Sequence, residues 1–431
     1  MKKINVGLIG FGNIGSGVVK ILHDKKTFLS EKIGLQINIK KICDKDLVSK
    51  RNVSVDKDLF TKDAREVIND PQIDVVVELI GGLHPAKEYI IEALKKGKNI
   101  VTANKALLAS EGKELFACAI DRGKSIYFEA SVGAGIPIIK SLREGLVANK
   151  FSGIFGIVNG TSNFVLSQMS ATNCTFNDAL KDAKLKGFAE KDPTLDIDGI
   201  DSAHKLILLT YLCYGRMVSL EDIFIEGISQ VSLDDVNYAK ELGFEIKLLA
   251  ITKKTGDELE VRVHPTLVPK EHLLASVSGV NNAIYVLSDL AGNLLFYGPG
   301  AGQMSAASAV VSDLVDLTRD IKAGLFRTTL NIVPDKSIKR LRKIDEVASR
   351  YYIRFMAQDE PGVLAKISGV LAKFGISIAS VTQKQRRKTQ VVPIVMIIHE
   401  AKEKNLRLAL ETIDRLNIIK QKSVAIRMEE A

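Results

Sequence analysis

The chain has no tryptophan, and aromatic residues make up only 6% of its 431 positions. Surfaces on which bases could stack are therefore sparse, and nucleic acid is not an expected partner. Cysteine is also scarce. Cys43, Cys118, Cys174 and Cys213 lie far apart and form no C-x-x-C pair. That argues against a disulfide framework or a zinc site and for reduced thiols in a cytoplasm. No uninterrupted apolar run reaches the roughly 20 residues that a membrane helix needs, so no membrane association is expected. The apolar run after Met1-Lys2-Lys3 stops within a few residues in a glycine cluster, which reads as a buried strand rather than a secretory leader. A strong charge of one sign is absent too. There are 60 basic and 51 acidic residues, a formal net charge of +9. This mild excess suits anionic substrates and phosphate-bearing cofactors.

What is present is enough apolar material for large cores, 46% of the chain, and length for two or three domains. Up to about residue 128, short β-rich runs alternate with helical patterns. The strands are Ile4–Ile9, Ile37–Asp44, Val75–Leu79, Ile100–Thr102 and Ser125–Phe128, with helices such as Pro85–Lys96 and Leu107–Arg122 between them. This alternation predicts a doubly wound parallel sheet over residues 1–129. Residues 130–299 read as a mixed α/β substrate unit. Its strands are Phe151–Val158, Arg262–Leu267 and Ala283–Ser288; its helices lie around Ala179–Leu185, Asp201–Tyr214 and Asp234–Leu242. A small-residue helix, Ala301–Leu317, is expected to return to the first unit as part of residues 300–330. The Lys- and Arg-rich stretch Pro334–Arg350 reads as a solvated linker over 331–349. Residues 350–431 follow as β-α-β-β-α-β, with the basic turn Arg386–Lys388 between its middle strands.

The first chemical motif is Gly10-Phe11-Gly12-Asn13-Ile14-Gly15, a G-x-G-x-x-G between the first strand and the first helix. Glycine allows the tight turn at Gly10, close approach of a pyrophosphate at Gly12, and helix-on-strand packing at Gly15. The exposed N–H groups and positive helix end then hold the phosphates. The unit is thus expected to be of Rossmann type and to bind a dinucleotide. Asp44, at the end of the second strand, would bond a ribose 2′-hydroxyl and favour NAD. Lys45, Lys50 and Arg51 could instead hold the 2′-phosphate of NADP, and the two cofactors remain alternatives. A second motif, Val101-Thr102-Ala103-Asn104-Lys105, ends a strand of the same sheet. Ligands bind at such ends, so Lys105 could reach cofactor or substrate; a surface lysine is the other reading.

The stretch Gly187–Lys205 places five carboxylates in twelve positions: Glu190, Asp192, Asp196, Asp198 and Asp201. Asp201 and Lys205 are four apart on a helix and share a face. Asp201 can orient the Lys205 ammonium, which can give a proton to a carbonyl oxygen as hydride arrives and take it back in reverse. Glu190 and Asp196 could hold a substrate amino group. A solvated acidic loop is the alternative, while the ligand spacing of a calcium loop is missing. His84, His204 and His264 have no partner by spacing and read as structural.

With these motifs in order, the chain resembles the bacterial homoserine dehydrogenase family over essentially its whole length. Further matching runs are Glu78-Leu79-Ile80-Gly81-Gly82, Thr102–Leu108, Glu129–Pro137 and Asn159-Gly160-Thr161-Ser162-Asn163. The resemblance implies reversible reduction of L-aspartate 4-semialdehyde to L-homoserine by NADH or NADPH, within threonine, methionine and isoleucine biosynthesis. It implies Lys205 as proton donor and acceptor, Asp201 in support, and Lys105 on substrate and nicotinamide. Glu190 and Asp196 would bind the amino group, Gly160 and Thr161 the carboxylate, and Gly302 the cofactor. A structural sodium ion would sit on main-chain oxygens of Glu129, Val132, Ala134 and Ile136. Residues 351–427 resemble a ferredoxin-like ACT domain, with Asp359-Glu360-Pro361-Gly362-Val363-Leu364 as its first loop. That module implies inhibition by L-threonine and pairing of chains into a homo-oligomer; a dimerisation platform without ligand is the alternative. Two positions depart from the family pattern. Gln303-Met304-Ser305-Ala306 stands where a Pro-Thr pair is usual, and Cys43 where Arg often precedes the aspartate of the second strand. A related cysteine-thioester dehydrogenase is disfavoured because no cysteine has a nucleophile's setting. A non-catalytic sensor is the rival from another class.

Overall fold

A computed structural model describes residues 3–49, 51–325, 332–383 and 391–429. Its first sheet contains β1 (Lys3–Ile9), β2 (Gln36–Cys43), β3 (Phe60–Thr61), β4 (Val75–Glu78), β5 (Asn99–Thr102) and β6 (Ile126–Tyr127). All neighbours are parallel, in the order β3-β2-β1-β4-β5-β6. Every residue of β4 and β5 is buried, as expected where helices cover both faces. The order reverses between β1 and β4, and this switch opens a crevice beyond the carboxyl ends of the strands. Sequence reading missed β3, which is only two residues long.

The helix Gln303–Ala323 lies in the core of this first unit. Ala307, Val310, Leu314 and Leu317 pack with Val18, Val19 and Leu22 of the helix Asn13–Asp24. Gly17 lets the two helices touch, since a Cβ there would meet Ala307 at 3.0 Å. The helix begins at Gln303 without proline, and Gln303 Nε2 donates to Ser16 Oγ at 3.0 Å. The departure from the family pattern therefore leaves helix initiation intact.

The second sheet holds eleven strands: β7 (Phe151–Ile157), β8 (Phe224–Ile225), β9 (Phe244–Thr255), β10 (Glu258–Pro269), β11 (Asn281–Ser288), β12 (Asn293–Pro299), β13 (Arg340–Leu341), β14 (Ala348–Gln358), β15 (Ile378–Thr382), β16 (Val391–Lys402) and β17 (Ile419–Met428). Its main path runs β12-β11-β7-β9-β10-β17-β14-β16-β15, with β8 and β13 also paired to β10. Strands β14 to β17, with helices Val363–Lys373 and Glu403–Asp414, form the β-α-β-β-α-β unit. It is not a separate bead. Strand β17 pairs with β10 at Thr266–Arg427 and Leu267–Met428, so one sheet runs through both units. Sequence reading missed β9, β12 and this junction. The turn Arg386–Lys388 lies outside the described residues.

The junction is held by buried ion pairs. Asp235 is fully buried and accepts from Arg354 Nε at 2.7 Å, Arg354 Nη2 at 3.0 Å and Tyr352 Oη at 3.0 Å. Arg427 donates to both oxygens of Glu403 at 2.8 and 2.6 Å and to Glu226 at 2.7 Å. The charged stretch before this unit, read as a solvated linker, is instead docked. Asp335 N–H donates to Tyr214 O, Ile338 and Val347 are buried, and β13 pairs with β10. Arg342 donates to Glu258 at 2.7 Å and Glu260 at 2.6 Å. Local composition shows the cations but not the acids that wait for them on β10.

Candidate active site

At the first strand–helix turn Gly10 takes φ +105°, where a Cβ would strike the Leu79 backbone at 2.7 Å. A Cβ at Gly15 would lie 2.1 Å from Gly10 O, so that position too must be glycine. At Gly12 the same test meets nothing within 4 Å. The amino end of the helix Asn13–Asp24 is thus an open cradle with no side-chain cap, which fits a phosphate. Phe11 points the other way: its ring packs against Phe60 at 5.3 Å, and its N–H donates to Asp44 Oδ2 at 2.5 Å. Asp44 Oδ1 accepts from Asp46 N–H at 2.8 Å. Arg51 Nε donates to Phe11 O at 3.1 Å, so acid and cation both flank the turn. Lys45 is exposed, and Lys50 lies outside the described residues.

A second network sets Lys105. Glu78 is fully buried at the end of β4, and burial pushes its carboxyl up. It accepts from Thr102 Oγ1 at 2.7 Å and Ile80 N–H at 2.9 Å. Thr102 Oγ1 accepts from Asn104 N–H at 3.0 Å, and Asn104 Oδ1 caps the helix Lys105–Asp121 through Leu107 N–H at 3.2 Å. Lys105 therefore starts a helix of fixed origin. Its ammonium reaches 3.2 Å from Asp201 Oδ1.

Lys205 and Asp201 lie on the helix Ile200–Tyr214 and are each 8% exposed. Lys205 Nζ donates to Asp201 Oδ2 at 2.7 Å and to Val158 O at 2.5 Å. Burial alone would raise the Asp201 pKa, but Lys205 and Lys105 outweigh it and hold the carboxyl below its ordinary value. Asp196 lies beside Asp201, joined to it through Asn159 Nδ2 at 2.7 and 2.8 Å. Gly160 and Thr161 open the helix Gly160–Thr172 at the same place. A Cβ on Gly160 would press on Val280 O at 2.8 Å, so only glycine lets the helix start this close to the β11 edge.

These groups line one cleft of about 800 Å³ between the Gly-rich turn and the second unit. Asn13, Ile14, Lys105, Gly160, Thr161, Glu190, Asp196, Asp201, Lys205 and Gly302 all face it. Gly10, Phe11, Gly12, Gly15 and Asp44 stand behind or beside its wall rather than on it. Val132, Ala134, Ile136 and Glu129 form a buried turn under the cleft, with Ala134 at φ +37°. Burial raises the Glu129 carboxyl to about 7. Its oxygens accept Ile139 and Lys140 N–H at 2.9 and 2.8 Å, and its own N–H donates to the buried Asp313 at 2.8 Å. No cluster of three or more His, Cys, Asp or Glu side chains could hold a metal among the described residues. The histidines stay out of the constellation. His84 pairs with Glu88 on the surface, and His264 is fully buried against Arg262. His204 is half-buried one turn from Asp201, and burial lowers its pKa. Asn159, Glu78 and Asn104 are the site residues that sequence reading did not single out.

The chain is similar to known proteins over its whole length. Residues 10–129 match the homoserine dehydrogenase NAD-binding domain, 137–315 the homoserine dehydrogenase family, and 351–417 the ACT domain. The chain is 42% identical to a homoserine dehydrogenase of Neisseria gonorrhoeae, with 100% of this chain and 99% of that one covered. The crystal structure of a homoserine dehydrogenase from Thiobacillus denitrificans superposes with a TM-score of 0.90 at 42% identity, covering 100% of this chain and 99% of that one. A hyperthermophilic archaeal homoserine dehydrogenase in complex with NADPH matches at TM-score 0.62 and 27% identity, over 73% of this chain and 98% of that one. A dinucleotide cradle, a lysine–aspartate–lysine floor and an ACT unit thus occur together in a chain that belongs to the homoserine dehydrogenase family of NAD(P)-dependent oxidoreductases.

Proposed function

We propose that this chain interconverts L-homoserine and L-aspartate 4-semialdehyde with Lys205 as the acid and base. The observation that carries this reading is Lys205 Nζ, buried at the cleft floor and held between Asp201 Oδ2 at 2.7 Å and Val158 O at 2.5 Å. Two fixed acceptors leave one N–H to aim at the substrate oxygen. The nicotinamide, when bound, supplies or accepts the hydride at the carbon bearing that oxygen. In the reductive direction Lys205 gives its proton to the oxygen; in the oxidative direction it takes the hydroxyl proton. Asp201 stabilises the ammonium form and keeps it in place. Lys105, tied to the other oxygen of Asp201, adds positive charge where the oxygen becomes negative. Glu190 and Asp196 accept the substrate ammonium. The N–H groups of Gly160 and Thr161, at a helix start, take its carboxylate. The Gly10–Gly15 turn and Gly302 hold the dinucleotide, with Asp44 and Arg51 flanking the adenosine ribose.

The turn Glu129–Ile136 suits a structural sodium ion, because buried main-chain oxygens are hard, uncharged donors. Residues 350–431 would sense L-threonine and pair with a second copy, and Leu364 and Val381 give that unit exposed apolar contacts, 44% and 40% exposed. Among the described residues no helix is long and apolar enough to cross a membrane. We place the enzyme in the cytoplasm, in threonine, methionine and isoleucine biosynthesis. The test is a cofactor-absorbance assay with L-homoserine and NAD or NADP, with and without L-threonine. Homoserine-dependent reduction is expected, and the faster cofactor reports how Asp44 and Arg51 share the ribose. Cofactor binding without any reduction would favour a non-catalytic sensor.

A further inference from the structure

Asn159 stands at a helix start, yet its side chain is where two acids of the cleft meet. It is 5% exposed. Its Oδ1 accepts Ser162 N–H at 2.8 Å, which fixes the sense of the amide. Turned over, the amide would set its oxygen against two carboxylates and its NH2 against an N–H. In the observed sense Nδ2 donates to Asp196 Oδ1 at 2.7 Å and to Asp201 Oδ2 at 2.8 Å. Asp201 Oδ2 is the same oxygen that receives Lys205 Nζ. The backbone is fastened at the same point, because Ser162 Oγ donates to the main-chain oxygen of Asp196 at 2.6 Å.

Two carboxylates drawn to one nitrogen repel, and without a shared donor they would move apart. Asp196 displaced would lose its aim at an ammonium. Asp201 displaced would loosen its hold on Lys205. A neutral amide satisfies both acids without adding a charge of its own. We infer that Asn159 is a positioning residue that clamps Asp196 and Asp201 together through its two amide hydrogens, so that the substrate-ammonium acceptor and the carboxylate behind Lys205 are set by one side chain. This rests on the roles of Asp196, Asp201 and Lys205 proposed above. It links substrate binding and proton transfer, which the family motifs treat separately.

The test uses Asn159→Asp in the full-length enzyme. The variant is isosteric and keeps an acceptor for Ser162 N–H, but it replaces the shared donor with a third carboxylate. The groups around it are Asp196 and Asp201, the Lys205 and Lys105 ammoniums beyond Asp201, Glu190 on the cleft wall and His204 on the Asp201 helix. Burial and two like charges raise the pKa of the introduced carboxyl. As pH falls it gains a proton and again offers a donor. At about pH 9, kcat/KM for homoserine should fall on the order of 100-fold below wild type, with both kcat and KM affected. The ratio of variant to wild type should recover about tenfold towards pH 6. Asn159→Ser keeps a capping oxygen but has no NH2 to bridge both acids; its loss should be similar and independent of pH. Cofactor binding and melting temperature are followed throughout. A pH-independent ratio in folded Asn159→Asp, or wild-type rates in either variant, would overturn the clamp. Should Asn159→Asp fail to fold, an unchanged homoserine KM in Asn159→Ser overturns it, and a raised KM with lowered kcat supports it. Lys205→Ala run in parallel keeps the two ideas apart. Turnover surviving there rejects the Lys205 role, whereas a flat pH ratio rejects only the clamp.

Discussion

The cleft floor and the seam between the second and third units both bury ionised groups, but they use different cations. At the seam the cations are arginines. Arg354 grips Asp235 across the seam through two nitrogens, and Arg427 reaches Glu226 across it while taking both oxygens of Glu403 in its own unit. A guanidinium is planar, bidentate and permanently charged, so such a pair fixes geometry and keeps its charge. At the cleft floor the cations are lysines. Lys105 and Lys205 share Asp201, each through a single contact to a different oxygen. An ammonium is a point charge that can lose its proton. The seam is built to stay as it is, whereas the role proposed for Lys205 requires a proton to pass at the floor, beside an open cleft. Charge in the two places should therefore fail differently on mutation, in stability at the seam and in rate at the floor.

The largest effect that would sharpen this contrast is at Asp201. Asp201→Asn should lower kcat by ~10²–10³-fold, because Lys205 loses the charge that orients it. The same variant should flatten the acid side of the stability profile. The folded-state pKa of Asp201 is lowered, so its contribution is present above the ordinary carboxylate range and lost as pH falls from there through the lowered folded-state value. An acid-unfolding midpoint identical to wild type would contradict that. Next is Arg427→Met, which leaves Glu403 without its buried partner. It should lower unfolding free energy by ~2–3 kcal/mol in urea titration while the homoserine rate at 25 °C stays within about threefold of wild type. A large loss of rate without loss of stability would break the distinction between seam and floor. Glu190 is exposed on the cleft wall, and Glu190→Ala should raise KM for homoserine about tenfold with little change in kcat. An unchanged KM would remove Glu190 from ammonium binding. The smallest effect is expected at His204. His204→Gln should change kcat by less than about twofold and leave the pH–rate profile in place.

The contrast also explains what was legible in the sequence. Gly10, Gly12 and Gly15 could be read because their constraint is local, a turn, a cradle and a helix contact within one strand–helix unit. Asp201 and Lys205 could be read because four residues on a helix bring them together. Asn159 could not be read beyond its motif, since its carboxylates lie 37 and 42 residues away and only the folded loop delivers them. The docked stretch Pro334–Arg350 was missed for a similar reason: its arginines look solvated until Glu258 and Glu260 meet them. Strand β9 was hidden by Lys247, a fully enclosed lysine that donates to Val277 O at 2.5 Å and interrupts the apolar pattern. Composition and spacing thus reported the contacts made within a turn of chain. They could not report charge whose partner arrives from another unit.

The central claim, that Lys205 carries the proton, is tested most directly by Lys205→Ala in the homoserine-dependent cofactor-reduction assay, with cofactor binding and melting temperature measured on the same sample. The account predicts a loss of at least about 10³-fold in kcat with cofactor affinity and folding retained. Turnover within about tenfold of wild type would contradict it and place the acid and base elsewhere in the cleft.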